Sequence, residues 1–343
     1  MPADGKIPAT PDEALLPLAR PMDEDDMQAL FGAGFVPPSV RQDTASPLLH
    51  NPEYAGCALL RRECDGLGLE DRAALIFFSR GSVRGADRPQ GADMPEACFL
   101  AGSCSSAFHP AWRLSREGLL PVWGSVLVSR QETGYGQFRR AWHSPRGNLH
   151  VCFRLPADGL FRGDAAAIAL GLLVCGVFRK MGFPLSLKWP NDLLVDQRAK
   201  AGGMLVEERD GIVIAGLGVN TAEAPKEELL RGGRALPAAV LPYPDAPGSA
   251  GSAVAPFYLW RILLSGIIVA CGAGAGKRTL PELVGESAHL LAWTGRKATM
   301  EDGGHAPVAG RILGCGPGGG LLLRPDNGSI QEIFTGSLSL PFL

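Results

Sequence analysis

KWPNDLLVDQRAKAGGMLVEERDGIVIAGLGVN, residues 188–220, is the stretch on which the fold reading turns. Near its middle, Arg209-Asp210-Gly211 separates two apolar runs, Gly203–Glu208 and Ile212–Gly216. Asp-Gly suits a tight hairpin turn because both residues tolerate φ > 0, so the two runs are expected to pair as antiparallel strands. Just upstream, Leu185–Lys188 and Leu193–Val195 are short strand candidates joined by Trp-Pro-Asn-Asp. That turn gathers a cation (Lys188), an amide (Asn191) and a carboxylate (Asp192). Lys200 follows, beside small residues that let a carboxylate or phosphate come close, although a solvated turn lysine would look the same.

Outward from this stretch the pattern alternates between strand and helix. Gly124–Ser129 and Asn148–Leu155 read as strands, and Ala111–Glu117 as a short helix ending at Gly118. Asp164 is placed to cap a helix running to about Met181, with Gly182 as its stop. Ala73–Phe78 suits a buried strand. Leu236–Pro256 reads as a flexible connection, followed by a helix near Phe257–Val269. The last fifty residues change character: Arg296–Thr299, Val308–Leu313, Gly320–Arg324 and Ile330–Phe334 are short strands between glycine turns, with Asp326-Asn327-Gly328 as a hairpin signal. The fold class expected is α+β: a mixed sheet with helices on one face, followed by a small C-terminal β-barrel.

Bulk properties exclude several classes. Hydrophobic residues make up 46% of the 343 and charged residues 20%, an ordinary soluble composition. Residues 1–100 carry 16 acidic and 9 basic side chains, whereas the remainder carries 19 and 24. An acidic front end argues against DNA binding there, because neutralising phosphates needs clustered Lys and Arg. The run Asp23-Glu24-Asp25-Asp26 falls in a segment expected to be irregular or partly ordered. No apolar stretch is long enough to span a bilayer or resembles a secretory signal, so a cytoplasmic location is the default expectation. The 8 cysteines form no CxxC pair, which argues against a disulfide scaffold and a zinc site. Gly272–Thr279 approaches a P-loop, but Cys271 and Arg278 stand where glycine and Ser/Thr are required, so a flexible helix end is the better reading.

A second chemical segment is QETGYGQFRRAWHSPRGNL, residues 131–149. Gly134 and Gly136 follow a strand and allow a tight backbone bend against a ligand. Arg139, Arg140 and Trp142 come just after, a set able to clamp an anion and stack on a planar ring.

Taken in order, the glycine loop with Trp-x-Ser-Pro-x-Gly-Asn-Leu, then KWPND, KAGGMLVE and GLGVN, resembles the biotin–protein ligases, over roughly Ala97–Thr221 and more weakly through the C-terminal region. The resemblance implies ATP-dependent joining of biotin, through biotinyl-5'-AMP, to a lysine of a biotin carboxyl carrier protein, with ATP and Mg²⁺ as co-substrate and metal. It implies that Gln131 meets the biotin ureido ring, that Gly134, Tyr135, Gly136 and Gln137 wrap the ligand, and that Trp142 stacks on adenine. Lys200 would contact the biotin carboxylate and α-phosphate, and Asn220 would help hold adenine. Ser105 and Ser106 are the favoured counterparts of an upstream ureido contact within Ser103–Ser106. Asn191, Gly203 and Arg140 complete the expected binding set. Asp192 is either a catalytic base or hydrogen-bonding partner, or a turn cap. No metal-binding carboxylate is named. The family's loop usually reads Gly-Arg-Gly-Arg-x-Gly-Arg; here Tyr135 and Gln137 replace two arginines, Arg139 replaces a glycine, and Arg140 keeps its place. The expected organisation is an acidic extension over 1–95 that is no recognisable DNA-binding domain, a catalytic domain over 96–284 and a small β-barrel over 285–343. No nucleic acid or membrane partner is expected; homodimerisation is left open.

Overall fold

The computed structural model describes residues 22–31, 57–59, 75–79, 98–226, 236–242, 255–272, 278–301, 306–326 and 328–341. In chain order the elements are α1 (Glu24–Phe31), β1 (Cys57–Leu59), β2 (Leu75–Ser79), β3 (Cys98–Cys104), α2 (Phe108–Arg116), β4 (Ser125–Gln131), β5 (Leu149–Leu155) and α3 (Ala166–Lys180). Next come β6 (Leu185–Lys188), β7 (Asp192–Val195), β8 (Ala199–Arg209), β9 (Ile212–Val219), α4 (Pro256–Ala270) and α5 (Leu280–Ser287). The chain ends with β10 (Lys297–Glu301), β11 (Val308–Cys315), β12 (Leu321–Pro325), β13 (Gln331–Ile333) and β14 (Ser337–Ser339).

Nine strands form one mixed sheet in the order β1-β2-β3-β4-β5-β9-β8-β7-β6, in which only β3 and β4 run parallel. The Asp-Gly hairpin is present between β8 and β9, with Asp210 at φ 50° and Gly211 at φ 75°. Alternation along β5 sends Leu149, Val151, Phe153 and Leu155 to one face, where they join Ile168, Leu172 and Phe178 of α3 and Trp260 and Ile267 of α4 in the main core. The residues between them face the other way. There a smaller cluster gathers Cys152, Ile214, Val126 and Val128 under Phe108, Ala111 and Trp112 of α2. The helices therefore do not all share one face as expected: α2 covers part of the face opposite to α3 and α4.

The C-terminal region expected as a small β-barrel is a five-stranded antiparallel sheet in the order β13-β12-β11-β10-β14, with no pairing between β13 and β14 among the described residues. It abuts the larger sheet beside the Trp189-Pro190 turn. Trp189 Nε1 donates to Gly319 O at 3.1 Å, and Ala292 N donates to Leu187 O at 2.8 Å. Gly319, at φ +89°, lies against Ala165 and Ile168, so the glycine turn packs on the start of α3.

Other expectations are corrected. Part of the acidic run is a helix: Asp23 Oδ1 accepts from Asp26 N–H at 2.8 Å, and Asp26 Oδ2 accepts from Asp23 N–H at 3.1 Å, a reciprocal cap for α1. Leu30 and Phe31 then bury, and Phe31 packs on Phe257 of α4 with ring centroids 4.8 Å apart. Asp164 does not cap α3; Ala165 occupies that position with no side-chain cap bond. Residues 236–242 are not loose. Lys200 N donates to Pro237 O at 2.7 Å, Ala239 N to Lys200 O at 2.9 Å and Leu241 N to Asn220 O at 2.7 Å. The expected helix end over residues 273–277, and Asn327 of the expected hairpin turn, lie outside the described residues.

Candidate active site

Register assembles the site. Lys188 pairs with Asp192, Asp192 with Gly203, Gly203 with Gly218, and Gly218 with His150. Residues opposite one another in antiparallel pairs share a face, so these five form one row across β6, β7, β8, β9 and β5 on the face away from α3. Lys200 reaches the same face through a bulge. Leu193 pairs with Gly202 and Leu194 with Lys200, leaving Ala201 unopposed on β8. The extra residue resets the alternation and turns the lysine toward the carboxylate.

Asp192 takes two cations. Lys200 Nζ lies 2.6 Å from Oδ1, and Lys188 Nζ lies 2.9 Å from Oδ2. Burial pushes the Asp192 carboxyl up, but Lys200 and then Lys188 outweigh it, holding the group well below the usual carboxylate range. The lysines differ in access: the Lys188 side chain is 11% exposed and that of Lys200 31%, so Lys188 is the enclosed partner and Lys200 the one open to a ligand. Lys188 Nζ also lies 5.7 Å from the Trp293 ring centroid, and Lys200 Nζ 5.2 Å from that of Trp142.

Glycines in β8 and β9 make the floor. A Cβ on Gly218 would lie 2.5 Å from Trp142 Nε1, and one on Gly216 2.6 Å from Phe108 Cε2, so both rings rest directly on backbone. At Gly203 the neighbour is the Lys200 head, whose Nζ lies 3.4 Å from where a Cβ would stand. The buried Nε1 of Trp142 has no hydrogen-bond partner among the described residues.

Around Gln131 and Ser144 lies a polar cluster that includes the Trp142 carbonyl. Gln131 Oε1 accepts from Ala107 N–H at 2.8 Å, and its Nε2 donates to Ser144 Oγ at 2.9 Å. Ser144 Oγ donates to Trp142 O at 3.2 Å. Gly134 is required by closeness: a Cβ there would sit 2.6 Å from Ser144 Oγ. Of the two serines, Ser105 Oγ pairs with His109 Nδ1 at 2.7 Å, whereas the buried Ser106 Oγ has no partner among the described residues. Ser106 and Trp142 thus offer the uncommitted polar atoms of this region.

The remaining expected residues fall in two groups. Asn191 and Asn220 fasten backbone: Asn191 Nδ2 donates to Met204 O at 2.6 Å, and Asn220 Nδ2 to Ala239 O at 3.1 Å and Lys200 O at 3.4 Å. Gly136, Gln137 and Arg140 lie on the loop between β4 and β5, where Arg140 is exposed with its guanidinium 5.4 Å from the Phe138 centroid. Tyr135 turns instead toward α2 and β8, donating to Glu207 Oε1 at 3.3 Å. Burial and the nearby Glu207 push its phenol up to about 12, so it remains a neutral donor.

Residues that the sequence did not place include Lys188 as second cation on Asp192, Gly216 and Gly218 as floor, Glu207, and Arg146. The signals were present for most of them, inside KWPND, KAGGMLVE and GLGVN. Arg146 is different, because its partners are remote: its guanidinium bonds Asp23 Oδ2 at 2.6 Å and the buried Asp26 Oδ1 at 2.7 Å. Among the described residues no group of three or more His, Cys, Asp or Glu is arranged to hold a metal ion, and no helix is long and apolar enough to cross a membrane.

Residues 115–220 match the model of the biotin/lipoate A/B protein ligase family. Among relatives, it is 34% identical over 126 residues to the bifunctional ligase/repressor BirA of Escherichia coli, covering 34% of this chain and 38% of BirA. It is 31% identical over 142 residues to the biotin--[acetyl-CoA-carboxylase] ligase of Paracoccus denitrificans, covering 38% of this chain and 55% of that one. The matches thus span about a third to a half of these relatives. Among solved structures, the biotin protein ligase of Aquifex aeolicus in complex with biotin and ATP shares the fold, with a TM-score of 0.55, 24% identity, and coverage of 71% of this chain and 97% of that one.

Proposed function

We propose that the chain is a biotin–protein ligase, activating biotin with ATP and passing it to a lysine of a biotin carboxyl carrier protein. The observation that carries this reading is the Lys200–Asp192–Lys188 group set beside a glycine floor, with Trp142 resting on Gly218 and the polar cluster of Gln131, Ser144 and Ser106 near it in the fold. A planar base suits the Trp142 face, and a neutral polar ring such as a ureido group suits the amide and hydroxyl groups of Gln131, Ser144 and Ser106.

Adenylation brings two anions together: a biotin carboxylate oxygen bonds the α-phosphorus while the bond to pyrophosphate breaks. Lys200 is positioned to turn from Asp192 to these oxygens and stabilise the charge that develops there. Lys188 stays on Asp192, so the carboxylate keeps a counter-cation when Lys200 moves. In the second step the neutral carrier amine attacks the biotinyl carbonyl, the bond to the AMP phosphate oxygen breaks, and the proton lost from the amine passes to solvent. Asp192, held ionised, is a hydrogen-bond acceptor for that incoming amine. With no carboxylate cluster among the described residues, magnesium fits here as the counter-ion of the triphosphate itself.

The test is biotin-dependent exchange of pyrophosphate into ATP, followed by labelling of a purified carrier domain. Wild type supports both. Lys200→Ala lowers exchange on the order of 10²-fold or more while keeping its melting temperature. A folded Lys200→Ala protein with near wild-type exchange, or a wild type inert with biotin, would overturn the assignment.

A further inference from the structure

Tyr135 stands where the related loops carry arginine, and its side chain is embedded. The ring stacks on Phe108 of α2, with centroids 5.6 Å apart and 21° between planes, and Phe108 in turn lies on Gly216 of the floor. The hydroxyl donates to Glu207 Oε1 at 3.3 Å. Glu207 is itself gripped: its Oε2 accepts from Trp112 Nε1 at 3.0 Å and Arg209 Nη2 at 2.8 Å. On the outer face of the ring lies the Arg139 guanidinium, 4.3 Å from the centroid. The backbone is closed across the same point. Tyr135 bridges to Ala141, Gly136 N donates to Arg140 O at 2.8 Å, and Trp142 N to Gly134 O at 2.8 Å.

We propose that Tyr135 is a latch, with Glu207 as its catch, that holds the 134–142 loop closed against α2 and β8 and so keeps the activated intermediate in the site. This rests on the ligase reading for the intermediate but not for the latch. Both loop arginines lie against aromatic rings of the same loop, Arg139 on Tyr135 and Arg140 on Phe138. The backbone bonds close the loop on itself, and its docking on α2 and β8 rests on the Tyr135–Phe108 packing and the Tyr135–Glu207 hydrogen bond rather than on cations reaching for phosphate. Tyr135 acts through the loop backbone and is a positioning residue. The packing also sets Trp142, whose backbone N–H is bonded within the loop, over Gly218.

The experiment uses the full chain in two arms. In the first, amide hydrogen exchange is followed in the ligand-free protein. Tyr135→Ala is expected to speed exchange of the Gly136, Arg140 and Trp142 amides at least tenfold, with α3 unchanged. Tyr135→Phe keeps the stack and loses only the hydroxyl bond, so it is expected to give an intermediate rise. In the second arm, biotin, ATP and serum albumin are supplied, and labelling of albumin reports escaped biotinyl-adenylate. Tyr135→Ala is expected to raise that labelling about tenfold, and Arg139→Ala by no more than about twofold.

Unchanged amide exchange in Tyr135→Ala overturns the latch whatever the activity. Faster exchange without extra albumin labelling overturns its role in retention. A larger leak from Arg139→Ala than from Tyr135→Ala overturns the priority of packing over charge. A wild type that forms no adenylate overturns the ligase reading and the retention role with it, while the first arm still decides whether the latch exists.

Discussion

The two faces of the nine-stranded sheet have opposite textures. Toward α3 and α4 the β5 side chains are Leu149, Val151, Phe153 and Leu155, with Leu217 and Val219 of β9 beside them, and all are buried. Toward the site, the same strands present His150, Cys152, Gly216 and Gly218, and β8 adds Gly203. Because a strand alternates its side chains, one stretch of sequence serves both faces without compromise. Large apolar residues at one parity stabilise the fold; glycines and ionisable groups at the other leave room for chemistry. Stability and activity should therefore respond to different halves of the same strands and the helices that cover them.

The strongest break in that comparison comes from the helix side. Phe178 of α3 is fully buried and packs edge-on against Phe183. Phe178→Ala is expected to lower stability by about 3–5 kcal/mol, with activity per folded molecule unchanged. Urea unfolding alongside pyrophosphate exchange checks this; an active-site defect at full stability would erase the division of labour.

Next is His150, the one ionisable group at the buried end of the site row. Burial brings its imidazole down from 6.5 to about 4, while Nε2 pairs with Pro145 O at 3.0 Å. Its folded value is depressed, so the unfolded chain takes the proton first. Its stabilising contribution is complete above pH 6.5 and is lost as pH falls toward 4, amounting to about 3 kcal/mol. Unfolding measured between pH 7 and 4 should show a steeper acid limb in wild type than in His150→Gln; parallel limbs would place the acid sensitivity elsewhere.

A smaller effect is expected on the glycine floor. Gly218→Ala drives a methyl into the Trp142 indole, 2.5 Å away. The expected outcome is about a tenfold rise in KM for ATP, about 1.4 kcal/mol, with little change in melting temperature. An unchanged KM would mean that Trp142 does not set the nucleotide site.

The smallest effect belongs to the acidic clasp on Arg146. Arg146→Met leaves the buried Asp26 unpaired and should lower stability by about 1 kcal/mol. Raising salt should narrow the gap between the two proteins; a gap insensitive to salt would point to packing by the arginine stem instead.

Legibility followed local chemistry. The β8–β9 hairpin was readable because Asp210 and Gly211 both need φ > 0, and α3 because Gly182, at φ +89°, ends it where a glycine stop was expected. β3 was missed: CFLAGSC is almost wholly buried and shows no alternation to announce a strand. α5 was also missed, although Thr279 and Glu282 form a capping box that is visible as Thr-x-x-Glu. In the site, motif residues were recognisable one by one, but their juxtaposition depends on strand register. Lys188 meets Lys200 only through Asp192, and Arg146 meets Asp26 across 120 residues of chain, distances no local pattern conveys.

The unopposed Ala201 gives this region a constraint of counting rather than of chemistry. Lys200 and Gly203 stand three residues apart, so were Ala201 drawn into the ladder as an ordinary strand residue, simple alternation along β8 would carry Lys200 round to the side of α3, its ammonium among leucines and Asp192 left with Lys188 alone. Substitutions at 201 keep the frame as long as that residue stays out of the ladder. Between Lys200 and Gly203 the bulge is therefore as much a part of the site as any side chain it presents.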